Sequence, residues 1–300
     1  MAEFPANKPG IFQAWVLAAR PKTLPAASAP VVLGAFLALA DGTFRWGPAL
    51  AALAGALLLQ IGANLANDVF DFHRGADTEQ RMGPMRATAS GWLTPRQMLT
   101  GMSVVFGLAL LIGVYLTWQA GWLVAVAGLL AILAAIAYTG GPYPLGYNGL
   151  GEIAVFIFFG LVAVCGTYFV QAQTIPLLAV LAAIPMGLLC SNILVVNNLR
   201  DIETDRLAGK RTLAARFGAE WARREYLIFL VGSYLTPLVL ALLRLTPWTA
   251  LLAWLSLPLA YRLVQQVRKV QGRALNRTLA GSGQLQLVFA VLFGLGLLLK

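Results

Sequence analysis

What most constrains this chain is a succession of about nine apolar runs, each close to the roughly 20 residues that an α-helix needs to cross a bilayer. They centre on residues 24–40, 47–67, 97–117, 121–139, 150–170, 175–197, 225–244, 247–266 and 282–299. In hydrocarbon every backbone N–H and C=O must find its partner inside the protein, which leaves helices and closed barrels. The runs lack the polar–apolar alternation of barrel strands. The expected fold is therefore all-α: a polytopic membrane protein, a bundle of about nine transmembrane helices. Charged residues make up 11% of the chain, well below the roughly 25% of soluble domains. Residues 1–300 read as a single membrane-embedded domain with little mass outside the bilayer. Cys165 and Cys190 both fall inside apolar runs, with no CxxC pair or Cys/His cluster, so a zinc or redox site has no support. Arg20 and Lys22, with Ala38-Leu39-Ala40 beyond them, imitate a cleavable signal. Pro25 and Pro30 interrupt that run and many spans follow it, so the segment is expected to stay.

Net charge is +10, from 22 Lys and Arg against 12 Asp and Glu. The basic residues lie in short segments between spans and form no continuous stripe, which argues against nucleic acid. They are sorted by side instead. With the N-terminus on the cytoplasmic face, 19 fall on that face, against Arg45, Arg244 and Lys300 on the other. Cytoplasmic loops collect Lys and Arg. The expected location is thus the inner (cytoplasmic) membrane, multi-pass, with the N-terminus and the acid-bearing loops cytoplasmic. The lipid bilayer is the partner that composition demands, and nothing calls for an obligate protein partner.

Two cytoplasmic loops, 68–96 and 198–224, are long. Loops beyond about 12–15 residues are uncommon unless functional or disordered. These two and the helix start beyond them hold nine of the twelve acidic residues: Asp68, Asp71, Asp77, Glu79, Asp201, Glu203, Asp205, Glu220 and Glu225. A weak repeat is visible, because an Asn-rich helix end leads into spaced aspartates after the second span and again after the sixth. The copies are Asn64-Leu-Ala-Asn67-Asp68-Val-Phe-Asp71 and Asn197-Asn198-Leu-Arg-Asp201-Ile-Glu-Thr-Asp205, consistent with a duplicated four-helix unit plus a ninth helix. On a helix, positions i, i+3 and i+4 share a face. Asn64, Asp68 and Asp71 then form one stripe, and Asn197, Asp201 and Asp205 another. Carboxylates so close repel unless a cation lies between them, and oxygen donors of this kind suit Mg²⁺, which takes one or two carboxylates plus substrate phosphates. Acids at a membrane surface are functional candidates by default. Arg86, Lys210 and Arg211 follow the two acid clusters and suit the remaining oxygens of a diphosphate. His73, the single histidine, reads as an ordinary loop residue. Glu152 opens the fifth span, either lining a pocket or standing among headgroups.

These residues resemble the UbiA superfamily of intramembrane prenyltransferases, whose signatures are an NDxxDxxxD-like motif and a DxxxD motif at two cytoplasmic helix ends. Here they read Asn67-Asp68-x-x-Asp71-x-x-x-Gly75-x-Asp77 and Asp201-x-x-x-Asp205. Gly75 stands where the third Asp often lies, with Asp77 two residues later. Arg20-Pro-Lys22-Thr-Leu-Pro-Ala, Gly83-Pro-Met-Arg86-Ala-Thr88-Ala-Ser90-Gly91 and Tyr138-Thr-Gly-Gly-Pro-Tyr143-Pro-Leu-Gly-Tyr147 look like the branch that prenylates 1,4-dihydroxy-2-naphthoate. The resemblance implies a bundle with one active site at its cytoplasmic face. Mg²⁺ would be held by Asp68, Asp71, Asp201 and Asp205, with Asp77 a further catalytic candidate. Lys22, Asn64, Asn67, Arg86, Tyr138, Tyr143, Glu152, Asn197, Lys210 and Arg211 would bind the prenyl diphosphate and the aromatic naphthoate. Asp77, Tyr138 and Glu152 stay open as candidates for a base. Other readings are a relative acting on another aromatic acceptor, such as 4-hydroxybenzoate or homogentisate, and a membrane transporter. Transporters place their sites near the midplane, whereas these acids lie at one surface. Arg86→Ala is expected to raise the KM for a prenyl diphosphate more than it lowers turnover at saturation; an unchanged donor KM would reassign Arg86 to topology.

Overall fold

The computed structural model describes residues 9–76 and 81–299, so Asp77 and Glu79 lie outside the described residues. Among those described, regular structure is helical throughout. The chain runs α1 (Ile11–Ala19), α2 (Leu24–Ala40), α3 (Trp46–His73), α4 (Pro95–Ala120), α5 (Trp122–Ala137), α6 (Gly151–Ala172) and α7 (Leu177–Arg200). Then come the short α8 (Ile202–Leu207) and α9 (Leu213–Phe217), followed by α10 (Ala219–Leu242), α11 (Leu257–Lys269) and α12 (Leu275–Leu298). Local chemistry sets several ends. Thr94 and Gln97 form a reciprocal capping box and Pro95 opens α4. Gly121, at φ 92°, lets α4 stop and α5 begin with no intervening loop.

Among the described residues, seven segments are long and apolar enough to cross a membrane: Ile11–Ala40, Trp46–His73, Pro95–Ala120, Gly151–Ala172, Leu177–Arg200, Ala219–Leu242 and Gly272–Leu298. The expected spans at 121–139 and 247–266 are built otherwise. α5 has 16 residues, about 24 Å at 1.5 Å per residue, which is less than the roughly 30 Å of a hydrocarbon core. The 247–266 region splits into a 3₁₀ run, Trp248–Ser256, and α11. There the backbone of Thr249 lies against α12 so closely that a Cβ on Gly296 would be 2.2 Å from Thr249 O. The two expected loops also contain more helix than anticipated. α3 continues through Asp68 and Asp71, and α8 and α9 occupy much of 198–224.

Two apolar cores form. One joins α2, α6, α7, α10 and α12 through Leu33, Val164, Met186, Tyr226, Phe289 and Phe293. The other joins α1, α3 and α4 through Ala14, Leu65, Val69, Met98 and Phe106. Between them lies a cavity of about 1120 Å³ walled by α2 to α7. Most of its wall is apolar, and the asparagines and aspartates are confined to one end. At the opposite end Trp46, Trp118, Trp122 and Trp248 are exposed, as in the aromatic belt of a membrane interface.

The contact between α6 and α7 fixes one wall of the cavity. α6 widens into a π-helical turn at Phe156–Val162, a form frequent at functional sites, and Phe158 and Phe159 line the cavity there. A Cβ on Gly160 would lie 2.7 Å from Gly187 Cα, whereas one on Gly128 would meet nothing within 4 Å. Gly160→Ala is therefore expected to cost about 1–3 kcal/mol through overpacking, and Gly128→Ala to cost none of it. Thermal unfolding in detergent checks this; equal melting of both variants would mean that the α6–α7 contact tolerates a methyl group.

Candidate active site

Because α3 runs past Asn67 without a break, Asn64, Asn67 and Asp71 come to one face and line the cavity. From the other wall, α7 and α8 bring Asn197, Asp201 and Asp205 to the same end. Arg81, Arg86, Tyr138, Tyr147, Asn198 and Lys210 are among the other polar residues of the lining. Asp71, Asp201 and Asp205 are all buried.

Each carboxylate is matched by cations. Asp71 Oδ2 accepts from Arg86 Nη2 at 2.7 Å, and its Oδ1 accepts from Tyr147 Oη at 2.6 Å and Lys210 Nζ at 3.3 Å. Lys210 Nζ also stands 4.0 Å from Asp205 Oδ1, so one ammonium links the acids of the two walls. Asp201 takes Arg200 Nε at 2.8 Å, and the same guanidinium donates to Asn197 Oδ1 and Asn276 Oδ1. Asp205 has the weakest compensation. Burial, then the charges of Asp201 and Asp71, push its carboxyl up to about 7 against the pull of Lys210 and Arg81.

The loops over the acids are tied to them. Arg74 Nε donates to Thr139 O at 3.1 Å, and Arg74 Nη2 bonds Gly141 O. Arg211 N donates to Tyr147 O at 2.7 Å. The Tyr147 ring carries Lys210 Nζ at 4.6 Å and Arg74 Cζ at 5.2 Å, two cation–π contacts that hold it in place.

Asp68 differs from its neighbours. It is buried, does not line the cavity, and accepts from Ala87 N with Oδ2 and Thr88 N with Oδ1, both at 3.0 Å. Its two oxygens anchor the loop that carries Arg86. Among the described residues no three His, Cys, Asp or Glu side chains converge on one point, so there is no closed protein cage for an ion. Asp71 facing Asp201 and Asp205 fits Mg²⁺ in another way, since that ion uses one or two carboxylates and takes the rest of its oxygens from phosphates and water.

The UbiA prenyltransferase family matches residues 27–289. The chain belongs to this family. It is 43% identical over 284 residues to the 1,4-dihydroxy-2-naphthoate octaprenyltransferase of Mycobacterium tuberculosis, covering 93% of this chain and 95% of that one. The Escherichia coli protein of the same name is 40% identical over 302 residues and covers 96% of each. A UbiA homolog from Archaeoglobus fulgidus, solved bound to GPP and Mg²⁺, superposes with a TM-score of 0.70 at 15% identity over 95% of this chain and 99% of that one. That likeness shows a shared fold.

In this UbiA-family chain several expected site residues stand elsewhere. Lys22, Tyr143 and Arg211 are exposed and off the cavity, because each side chain projects outward from its turn. Glu152 is buried behind the wall and bonded to Asn198. Asn64 lines the cavity but gives its amide NH₂ to Ala19 O and Thr23 Oγ1, while Asn67 Oδ1 accepts from Thr139 Oγ1. His73 is exposed at the end of α3. Tyr147, Arg200 and Asn198 are additions that spacing did not single out. Tyr147 was visible only within an aromatic and glycine-rich run, and Arg200 only as one more cytoplasmic charge. Mn²⁺ titration followed by electron paramagnetic resonance separates the aspartates. Asp71→Asn is expected to weaken Mn²⁺ binding about tenfold or more, the order that loss of a charged partner costs, and Asp68→Asn to leave it within about twofold. Equal weakening would return Asp68 to the ligands.

Proposed function

We propose that this chain transfers a polyprenyl group from an allylic prenyl diphosphate to 1,4-dihydroxy-2-naphthoate, releasing diphosphate and CO₂, in menaquinone or phylloquinone biosynthesis. The observation that carries the reading is a single cavity with an acid-and-cation cluster at one end and an apolar remainder. That division matches a substrate with a charged head and a hydrocarbon tail. The naphthoate acceptor is supported by the names of relatives that are at least 40% identical over more than nine-tenths of this chain.

Asp71, Asp201 and Asp205 would hold Mg²⁺, which when bound would supply the positive charge that a departing diphosphate needs. Arg86 and Lys210, which rest on Asp71, are within reach of the same diphosphate and share its charge. Tyr147 holds Lys210 over the site. The C1–O bond of the donor breaks with its electron pair leaving on diphosphate. Apolar walls from α4, α5 and α6 exclude water from the allylic cation. The ring carbon bearing the carboxylate forms the new C–C bond, and the bond to the carboxyl carbon then breaks to release CO₂ and restore the aromatic ring.

The positive-charge asymmetry supports placing the acid end at the cytoplasmic face of the inner membrane. The test is an assay in detergent with 1,4-dihydroxy-2-naphthoate, farnesyl or geranylgeranyl diphosphate, and Mg²⁺ or a chelator. Prenylated naphthoquinol formed with CO₂, and lost on chelation, is the expected result. Product from 4-hydroxybenzoate or homogentisate but none from the naphthoate would move the chain to another acceptor.

A further inference from the structure

Glu152, the second residue of α6, is buried yet does not line the cavity. Its side-chain Oε1 accepts a 2.8 Å hydrogen bond from Asn198 Nδ2. Its backbone carbonyl accepts from Ser191 Oγ at 3.2 Å, and Gly151 beside it lies against Leu194 and Tyr138. The start of α6 is thereby fixed on α7. In this contact the Glu152 carboxyl is the acceptor and Asn198 the donor, so the amide turns its NH₂ to Glu152 and its carbonyl oxygen away. That oxygen has no donor among the described residues, is not one of the sealed, unpartnered polar atoms, and belongs to a residue of the cavity wall. It is an uncommitted acceptor on a residue of the cavity wall.

Its position indicates the ligand. Asn198 stands between Ile193 and Leu194, towards the apolar space, and Asp201, towards the acids. This is the boundary where a diphosphate site ends and a tail site begins. Tyr138 reaches the same place, its hydroxyl 3.0 Å from where a Cβ on Gly151 would be. If the chain is a prenyltransferase, the allylic carbon and the aromatic ring meet at this boundary, and the inference rests on that reading.

We propose that Asn198, oriented by Glu152, accepts a hydrogen bond from a ring hydroxyl of the aromatic substrate and thereby selects hydroxylated acceptors. Glu152 is the positioning residue behind it. An ether in place of the hydroxyl leaves the amide oxygen facing an oxygen with no proton, so the site rejects it. The same acceptor oxygen, next to Asp201, keeps the carboxylate edge of the substrate turned away from α7.

The test compares kcat/KM for 1,4-dihydroxy-2-naphthoate with that for each of its mono-O-methyl ethers, with the donor KM measured in parallel. Wild type is expected to favour the diol over at least one ether by about 100-fold or more, since sites built to bind a hydroxyl reject analogues lacking it. Asn198→Leu is expected to bring that ratio to within about tenfold, with the donor KM unchanged. The paired variant Glu152→Gln with Asn198→Asp reverses the internal hydrogen bond but leaves a carboxylate oxygen facing the cavity. It is expected to recover the discrimination, which a purely structural tie between α6 and α7 does not require. A leucine variant that keeps the full ratio, or that moves the donor KM instead, overturns the proposal. So does a folded paired variant that discriminates no better than Asn198→Leu. Should the leucine variant not fold, Asn198→Ala carries the same comparison. A wild type that binds prenyl diphosphate but forms no naphthoate product overturns the naphthoate reading instead, and is told apart by the absence of any product ratio.

Discussion

The interaction on which this structure depends is repulsion among Asp71, Asp201 and Asp205, held together at the closed end of a largely apolar cavity. Carboxylates leave water only when something neutralises them. Arg86, Arg200 and Lys210 do so here through contacts as short as 2.7 Å for Arg86 and 2.8 Å for Arg200 Nε. Each comes from a different segment: the loop after α3, the end of α7, and the turn after α8. The acids therefore gather the loops, and the loops gather Tyr147 and the 139–147 turn through Arg74 and Arg211. Asp205 is still pushed up to about 7, first by burial and then by its acidic neighbours.

The acids would not meet without two helices that outlast the apolar run. α3 carries its hydrogen-bonded ladder through Asp71 to His73, and α7 ends at Arg200 just before Asp201. A helix that stopped at the membrane surface would leave these residues on independent loops and free to move apart. The rigid extension fixes Asn64, Asn67 and Asp71 as one face. It also turns Asp68 about 100° from Asn67, the angle per residue of a 3.6-residue turn, so that its carboxylate meets the Ala87 and Thr88 amides instead of the cavity.

Much of this was legible in the sequence. The apolar runs gave the helices because hydrocarbon forbids unpaired backbone, and the aspartate spacing pointed to the candidate site because like charges so close call for a shared cation. Arg86 and Lys210 followed from charge complementarity. What was not legible depends on rotation and on neighbours distant in sequence. Asp68 and Asp71 are the same residue type at helical spacing, and only the loop at 86–88 distinguishes them. Lys22 and Arg211 carry the right charge beside the right motif, yet their turns point them outward. Asn198 next to Asn197 looked like a repeat of one residue, and Glu152, 46 positions away, is what gives it a separate role. The broken helix at 247–266 was hidden because hydropathy records burial in lipid and is blind to the backbone contact of Thr249 with Gly296.

α5 forms an outer wall of the cavity. It has no fully buried residue, packs on α3 and α4, and barely touches α6. One of its faces lines the cavity through Leu123, Ala127, Ala131 and Ala135, while Leu130 and Leu133 are exposed on its surface. It is a partition with apolar surroundings on both sides, and the seam between α5 and α6 is its weakest join. For a hydrocarbon tail the two sides are nearly the same solvent, because lipid chains are as apolar as the side chains that line the cavity. A tail that outgrows about 1120 Å³ loses little by passing through that seam into the bilayer. The charged head has no such freedom, because the acids and their cations stand only at one end. The geometry therefore fixes the head of the donor tightly and its tail loosely, and the enclosed volume sets no upper limit on tail length.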